Sequence, residues 1–230
     1  MTNNVTVIAA HPDDEVLGMS GTLARHRAMG DRVCILFMSD GVTGRDVVYD
    51  PVKRADEIEA RCKAAQASAD LIGVESIEFE GYPNLRMDQQ LLLDVTKRIE
   101  ERLERWEADI VYTHHASDVN IDHRVTFDAT LVACRPVPGQ SIRSIRCFEL
   151  GASTDYSVPT LGHPFEPNLF IDIGDYLDIR RQMIECYDFE MRPAPFPRSQ
   201  KILDANVTVR GSQVGLDAAE AFMEIRRIIR

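Results

Sequence analysis

His11-Pro12-Asp13-Asp14-Glu15 follows directly on the apolar run Val5-Thr6-Val7-Ile8-Ala9-Ala10, so one imidazole and three acids stand at the mouth of a strand-like segment. A β-branched apolar run reads as a strand covered on both faces, and the residues past its carboxyl end lie where open α/β sheets bind ligands. Pro12 fixes its own φ and biases His11 away from the α region, so the turn is stiff and can aim His11, Asp13 and Asp14. Imidazole and carboxylate together make zinc ligands, and an unligated carboxylate beside them can accept a proton from water. Taken alone, the turn reads equally as a solvated histidine followed by the cap and first-turn acid of a helix beginning near Val16.

A second cluster shifts that balance. Thr113-His114-His115-Ala116-Ser117-Asp118-Val119-Asn120-Ile121-Asp122-His123-Arg124 again follows a strand-like run, Asp109–Thr113, and three of the six histidines lie between His114 and His123. Solvation gives no reason for such crowding, whereas a mononuclear site that draws a third ligand from a different strand end does. His123 opens an apolar-periodic stretch with Val125, Phe127, Leu131 and Val132, which places it at a helix N-terminus. There the helix dipole disfavours imidazolium and keeps the ring neutral and ready to ligate.

These two motifs together resemble the PIG-L/LmbE superfamily of zinc-dependent N-deacetylases. The resemblance extends through Ser39-Asp40-Gly41-Val42-Thr43-Gly44-Arg45, Leu71-Ile72-Gly73-Val74 and Gly211–Gly215 with Ala218–Phe222, and is similar to a bacterial branch with an Asn-x-Asp-His-Arg second motif that often accompanies nucleotide-sugar pathways. It implies that His11, Asp14 and His123 bind one Zn2+, with Fe2+ as the alternative ion, and that Asp13 is the general base. Many members carry histidine where this chain has Asn120, which can donate a hydrogen bond but supplies neither a proton nor a positive charge. The acid role then falls to His115, His114 or Asp13 acting twice. Asp122 reads as a carboxylate that orients a neighbouring histidine, or as a helix cap. Glu15 supports the metal turn or meets a sugar hydroxyl, Asp118 bonds a sugar hydroxyl or orders its loop, and Arg45 and Arg124 are candidates to hold phosphate or carboxylate.

The resulting expectation is metal-dependent hydrolysis of an N-acetylated amino sugar or its nucleotide-linked form, giving acetate and a free amine. Its rivals are an amidase acting on another small amide and a non-catalytic metal- or sugar-nucleotide-binding module. Three good ligands with an idle acid favour catalysis, since structural zinc is usually closed by four protein ligands.

Composition agrees with a small-molecule enzyme. The net charge of -11 argues against a broad nucleic-acid surface, and any anionic substrate would need a local cationic patch, for which Arg45, Arg61 and Arg124 are candidates. Neither a secretory leader nor a bilayer-spanning run is evident, so a cytoplasmic protein without membrane association is expected; the resemblance implies a homo-oligomer. The five cysteines are scattered and form no Cys-x-x-Cys pair, which makes them buried apolar residues rather than metal ligands.

The elements that must position these groups read as an α/β fold: a single-domain, Rossmann-like three-layer sandwich over residues 1–230 with a mostly parallel sheet. Strands are expected at Val5–Ala10, Val33–Ser39, Ser76–Phe79, Asp109–Thr113, Arg146–Leu150 and Asn168–Ile173. Helices are expected at Leu17–Met29, Val52–Leu71, Gln89–Trp106, His123–Cys134, Tyr176–Tyr187, Gln200–Val209 and Leu216–Ile229. The stretch Gly151–Pro167 reads as a lid or rim of the pocket, and the prolines of Arg192–Pro197 as an extended path that closes the pocket or braces a neighbouring subunit.

Overall fold

The computed structural model describes residues 2–158, 160 and 162–229. The apolar run of the first motif forms β1 (Asn4–Ala9), followed by α1 (Asp14–Ala28) and β2 (Arg32–Ser39). Then come α2 (Ala55–Ile72), β3 (Ser76–Tyr82), α3 (Leu92–Arg105), β4 (Ile110–Thr113) and α4 (Ile121–Ala133). The remainder is β5 (Ser144–Phe148), β6 (Leu169–Asp172), α5 (Leu177–Glu185), α6 (Gln200–Ser212) and β7 (Ala219–Arg227). Among the described residues no helix is long and apolar enough to cross a membrane.

The strands form one seven-stranded sheet in the order β3-β2-β1-β4-β5-β7-β6, parallel except that β7 runs antiparallel to both of its neighbours. Strand periodicity divides the core in two. On β1 and β2, Val5, Val7, Ala9, Val33, Ile35 and Phe37 pack against Met19 and Leu23 of α1, Ala64 and Ala65 of α2, and Met183 and Ile184 of α5. Ile8, Cys34, Leu36 and Met38 point the other way, onto Val95, Ile99 and Leu103 of α3 and Ala129 and Ala133 of α4. A strand covered on both faces is apolar at most positions, which is why β1 and β2 read as hydrophobic runs, interrupted in β1 by the buried Thr6. Helices therefore cover both faces of the sheet, as the expected three-layer architecture requires.

The chain leaves β1 for β2 and β3 on one side, then returns to place β4 against the other side of β1. The carboxyl ends of β1 and β4 thus flank the point where the winding direction reverses, the crevice in which such folds bind ligands. Both chemistry-bearing motifs issue from these two ends.

Two expectations are corrected. The last segment is strand β7 rather than a helix over Leu216–Ile229: Ala and Glu favour helix locally, but insertion between β5 and β6 satisfies its backbone on both edges and overrides that propensity. The prolines of Arg192–Pro197 do not run extended. Phe196 N–H donates to Pro193 O at 3.2 Å and Ser199 N–H to Phe196 O at 2.9 Å, so the stretch folds into successive turns that deliver Arg198 to the first motif.

Candidate metal centre and active site

The turn after β1 is held by its own polar groups. The backbone N–H of His11 donates to Asp14 Oδ2 at 2.8 Å, and that of Asp14 donates back to His11 O at 3.2 Å. Asp13, between them, has φ 139°, a conformation that L side chains rarely adopt. Such a residue costs about 1–3 kcal/mol and persists only where the surroundings over-determine it. Gly41, at φ +69°, gives the turn room: a Cβ there would lie 3.3 Å from His11 Cβ and 3.0 Å from Arg61 Nη1.

His11, Asp14 and His123 converge, all three buried. His123 Nε2 stands 3.2 Å from His11 Nδ1, and Asp14 Oδ2 stands 3.3 Å from His11 Nδ1 and 3.5 Å from His123 Nε2. A tetrahedral ion with bonds of about 2.0–2.2 Å separates its ligand atoms by about 3.3–3.6 Å. The fit extends to hydrogen-bonding capacity, because Asp14 Oδ1 is buried without a partner.

Carboxylates behind the two rings decide which nitrogens face inward. Asp122 Oδ2 lies 3.0 Å from His11 Nε2, and Asp118 Oδ2 lies 3.1 Å from His123 Nδ1. Burial opposes ionisation of both acids, yet the neighbouring histidines and backbone donors prevail: the Asp122 carboxyl is held below its ordinary range and Asp118 falls to about 2. Ionised acids only accept, so the His11 proton sits on Nε2 toward Asp122 and its inner nitrogen presents a lone pair, while His123 Nδ1 stands beside the Asp118 charge without a hydrogen bond. Two ring nitrogens and a carboxylate oxygen this close together form a donor set that fits a divalent cation. A demand for positive charge appears in the affinity of His11 for a proton. Burial opposes it, but Asp14 and Asp122 raise its pKa to about 10. A proton answers the demand on one nitrogen, and a divalent ion answers it on all three donor atoms.

Asp122 is anchored by the loop after β3, with Leu85 N–H donating to its Oδ2 at 2.6 Å and Met87 N–H to its Oδ1 at 3.1 Å. The cap of α4 is Asn120, not Asp122: Asn120 Oδ1 accepts from Asp122 N–H at 2.9 Å. Among the described residues nothing accepts from the Asn120 amide nitrogen, which leaves that donor free.

Several expected substrate contacts are placed otherwise. Asp118 is buried, and its Oδ2 accepts from Ser153 and Thr154 hydroxyls at 2.9 Å each and lies 3.1 Å from His123 Nδ1, so that oxygen is engaged within the protein. This also fastens the start of the Gly151–Pro167 stretch beneath the second motif; Pro159 and Leu161 of that stretch lie outside the described residues. Glu15 is buried too, accepting from Tyr187 Oη at 2.7 Å and Asp13 N–H at 3.1 Å, with burial pushing its carboxyl up to about 8. Arg124 commits its guanidinium to Asp118 O and Val119 O, and Arg45 to Glu57 and Glu190. Arg61 bonds Pro12 O at 2.9 Å and pairs with Glu190 and Asp13.

Of the two acid candidates next to each other, His114 is scaffold. Its Nε2 accepts from Ala10 N–H at 2.7 Å, its ring stacks on His123 at 4.0 Å, and burial with the adjacent His123 holds its pKa well below the ordinary value. His115 packs edge-on against Phe165, accepts from Ser117 N–H at 3.3 Å through Nδ1, and burial lowers its pKa as well. Two participants escaped the sequence reading. Arg198 reaches Asp13 from the far end of the chain, and Tyr187 holds Glu15; the only local signal was Ser199, the cap of α6, immediately after Arg198.

The family model described as PIG-L: GlcNAc-PI de-N-acetylase matches residues 6–134, which span both motifs. The chain belongs to the PIG-L family. An Escherichia coli K12 relative, named as the uncharacterized deacetylase YaiS, is 27% identical to this PIG-L chain over 139 residues, 58% of this chain and 69% of that one. Among solved structures, the N,N'-diacetylchitobiose deacetylase of Pyrococcus horikoshii shares the PIG-L fold with a TM-score of 0.76 at 21% identity, over 96% of this chain and 83% of that one. The 4-carboxy-2-hydroxymuconate hydratase GalB of Pseudomonas putida KT2440 superposes equally, with a TM-score of 0.76 at 21% identity over 100% and 98% of the two chains.

Proposed function

We propose that this PIG-L protein is a zinc-dependent N-deacetylase that releases acetate from an N-acetylated amino sugar, free or nucleotide-linked, and leaves the amine. The observation that carries this reading is the convergence of three donor atoms 3.2–3.5 Å apart beside an acid that ligates nothing, Asp13. His11, Asp14 and His123 would hold a divalent ion, which when bound would acidify water and act as a Lewis acid. Asp13 accepts the water's proton as the acetamide carbonyl is attacked, and the free amide N–H of Asn120 donates to the developing oxyanion. Asp13 then returns that proton to the leaving nitrogen, so the base serves a second time as the acid. A closed structural ion would need a fourth protein ligand, and none joins the three among the described residues.

The deciding experiment measures acetate and free amine across N-acetyl sugars, nucleotide-linked sugars and simple amides, with wild type and Asp13→Ala. The expected outcome is acetate release by wild type and a metal-loaded but inactive D13A; D13A that turns over like wild type would remove Asp13 from its role. The hydratase named among the structural neighbours makes one further assay informative. Water addition to an unsaturated acid without acetate release would overturn the deacetylase reading in favour of hydration at the same centre.

A further inference from the structure

The Asp13 carboxylate is held through one oxygen only. Oδ2 accepts from Arg198 Nη1 at 2.9 Å and lies 3.3 Å from Arg61 Nη1, whereas no donor among the described residues reaches Oδ1. The two arginines differ in kind. Arg61 is buried, its side chain 5% exposed, and it ties the turn's own carbonyl at Pro12 to Glu190. Arg198 is 23% exposed, meets Asp13 through a single nitrogen, and among the described residues otherwise pairs only with Glu190 Oε2 at 3.7 Å. Its position is nevertheless well defined, because the next residue, Ser199, caps α6 and accepts from Ile202 N–H.

A carboxylate that takes up a proton on one oxygen is best aimed when its other oxygen is fixed, and the contacts that fix Asp13 Oδ2 are those of Arg198 and Arg61. We propose that Arg198 is a positioning residue that locks Oδ2 of Asp13 and thereby presents Oδ1 to the reacting water. The proposal rests on the deacetylase reading above. Arg198 meets Asp13 through Nη1 alone, so the alternative use of this arginine, binding a substrate phosphate or carboxylate through its remaining N–H groups, is the outcome the test separates from positioning.

The test uses the full chain, metal-loaded, with Arg198→Ala and Arg198→Lys, and substrates in a neutral N-acetyl sugar and its phosphorylated form. Metal content and thermal midpoint of R198A should match wild type. Its kcat should fall about 100-fold with KM changed less than about threefold on either substrate, as expected when a reacting group is misplaced. Millimolar guanidinium should restore part of the kcat of R198A and leave wild type unchanged, and R198K should lie between them. A wild-type kcat in R198A, or a loss confined to KM for the phosphorylated substrate, overturns the proposal. If wild type releases acetate from no substrate, the deacetylase reading fails by itself, and crystal structures of metal-loaded wild type and R198A then decide: a rotated Asp13 carboxylate in R198A supports the lock, and an unmoved one overturns it.

Discussion

Asp122 Oδ2 stands 3.0 Å from His11 Nε2 although 111 residues separate them, and the same oxygen accepts from Leu85 N–H on a third segment. One carboxylate thereby ties the loop after β3, the first motif and the second motif to a single ring orientation. Carboxylates that hold metal-facing imidazoles typically contribute 10–100-fold in metal affinity. Asp122→Asn should weaken metal binding by about that factor, measured by competition with a chelator, while folding is retained. An unchanged affinity would reduce Asp122 to a loop tie.

Metal analysis of the purified protein should find one divalent ion per chain, and His123→Ala should lose it. Chelation should abolish activity and readdition of Zn2+ should restore it, since no other set of three His, Cys, Asp or Glu side chains converges among the described residues.

Tyr187→Phe deletes the hydroxyl that donates to Glu15 Oε1 at 2.7 Å and leaves that oxygen buried. An unsatisfied buried acceptor costs about 1–3 kcal/mol, so urea denaturation should place the variant below wild type by that amount. A difference within error would mean that Glu15 is satisfied by its proton and Asp13 N–H alone.

Gly41→Ala adds a Cβ at φ +69°, 3.0 Å from Arg61 Nη1 and 3.3 Å from His11 Cβ. It should destabilise by about 1 kcal/mol or more, with a loss of metal affinity because the push is against the His11 turn. Wild-type stability and metal affinity would contradict the close approach.

His26 tests the opposite end of β4. Its Nδ1 faces Asp31 at 2.6 Å and its Nε2 faces Tyr112 Oη at 3.0 Å, with Arg146 and Arg25 nearby. Burial, helped by the two arginines against the pull of Asp31, lowers its pKa from 6.5. As pH falls through 6.5 the unfolded chain takes up a proton that the folded one refuses, so stability is lost below that point and is fully present above it. Chemical denaturation at a series of pH values should show wild type losing more stability than His26→Gln as pH drops below 6.5. Parallel curves would contradict the lowered pKa.

The sheet was legible because its central strands are buried on both faces and so admit little but apolar residues. The two halves of the site were legible because each begins where such a run stops. β7 was not, since Ala219, Glu220 and Ala221 carry helix propensity and only the neighbouring β5 and β6 make them a strand. Arg198 was not either: an arginine after a proline-rich stretch looks the same locally whether it meets water or Asp13.

What the chain's order of residues settled by itself is the set of donor types and their location at two strand ends, because strand burial and turn stiffness are local consequences of residue type. What only the tertiary structure decided is the division of labour among acids that look alike in sequence. Asp14 faces three imidazoles with an oxygen to spare, Asp118 and Asp122 stand behind two of them, Glu15 is enclosed, and Asp13 keeps one oxygen free. A carboxylate's role is set by which donors surround it, and here the deciding partners of Asp122, Glu15 and Asp13 lie 111, 172 and 185 residues away.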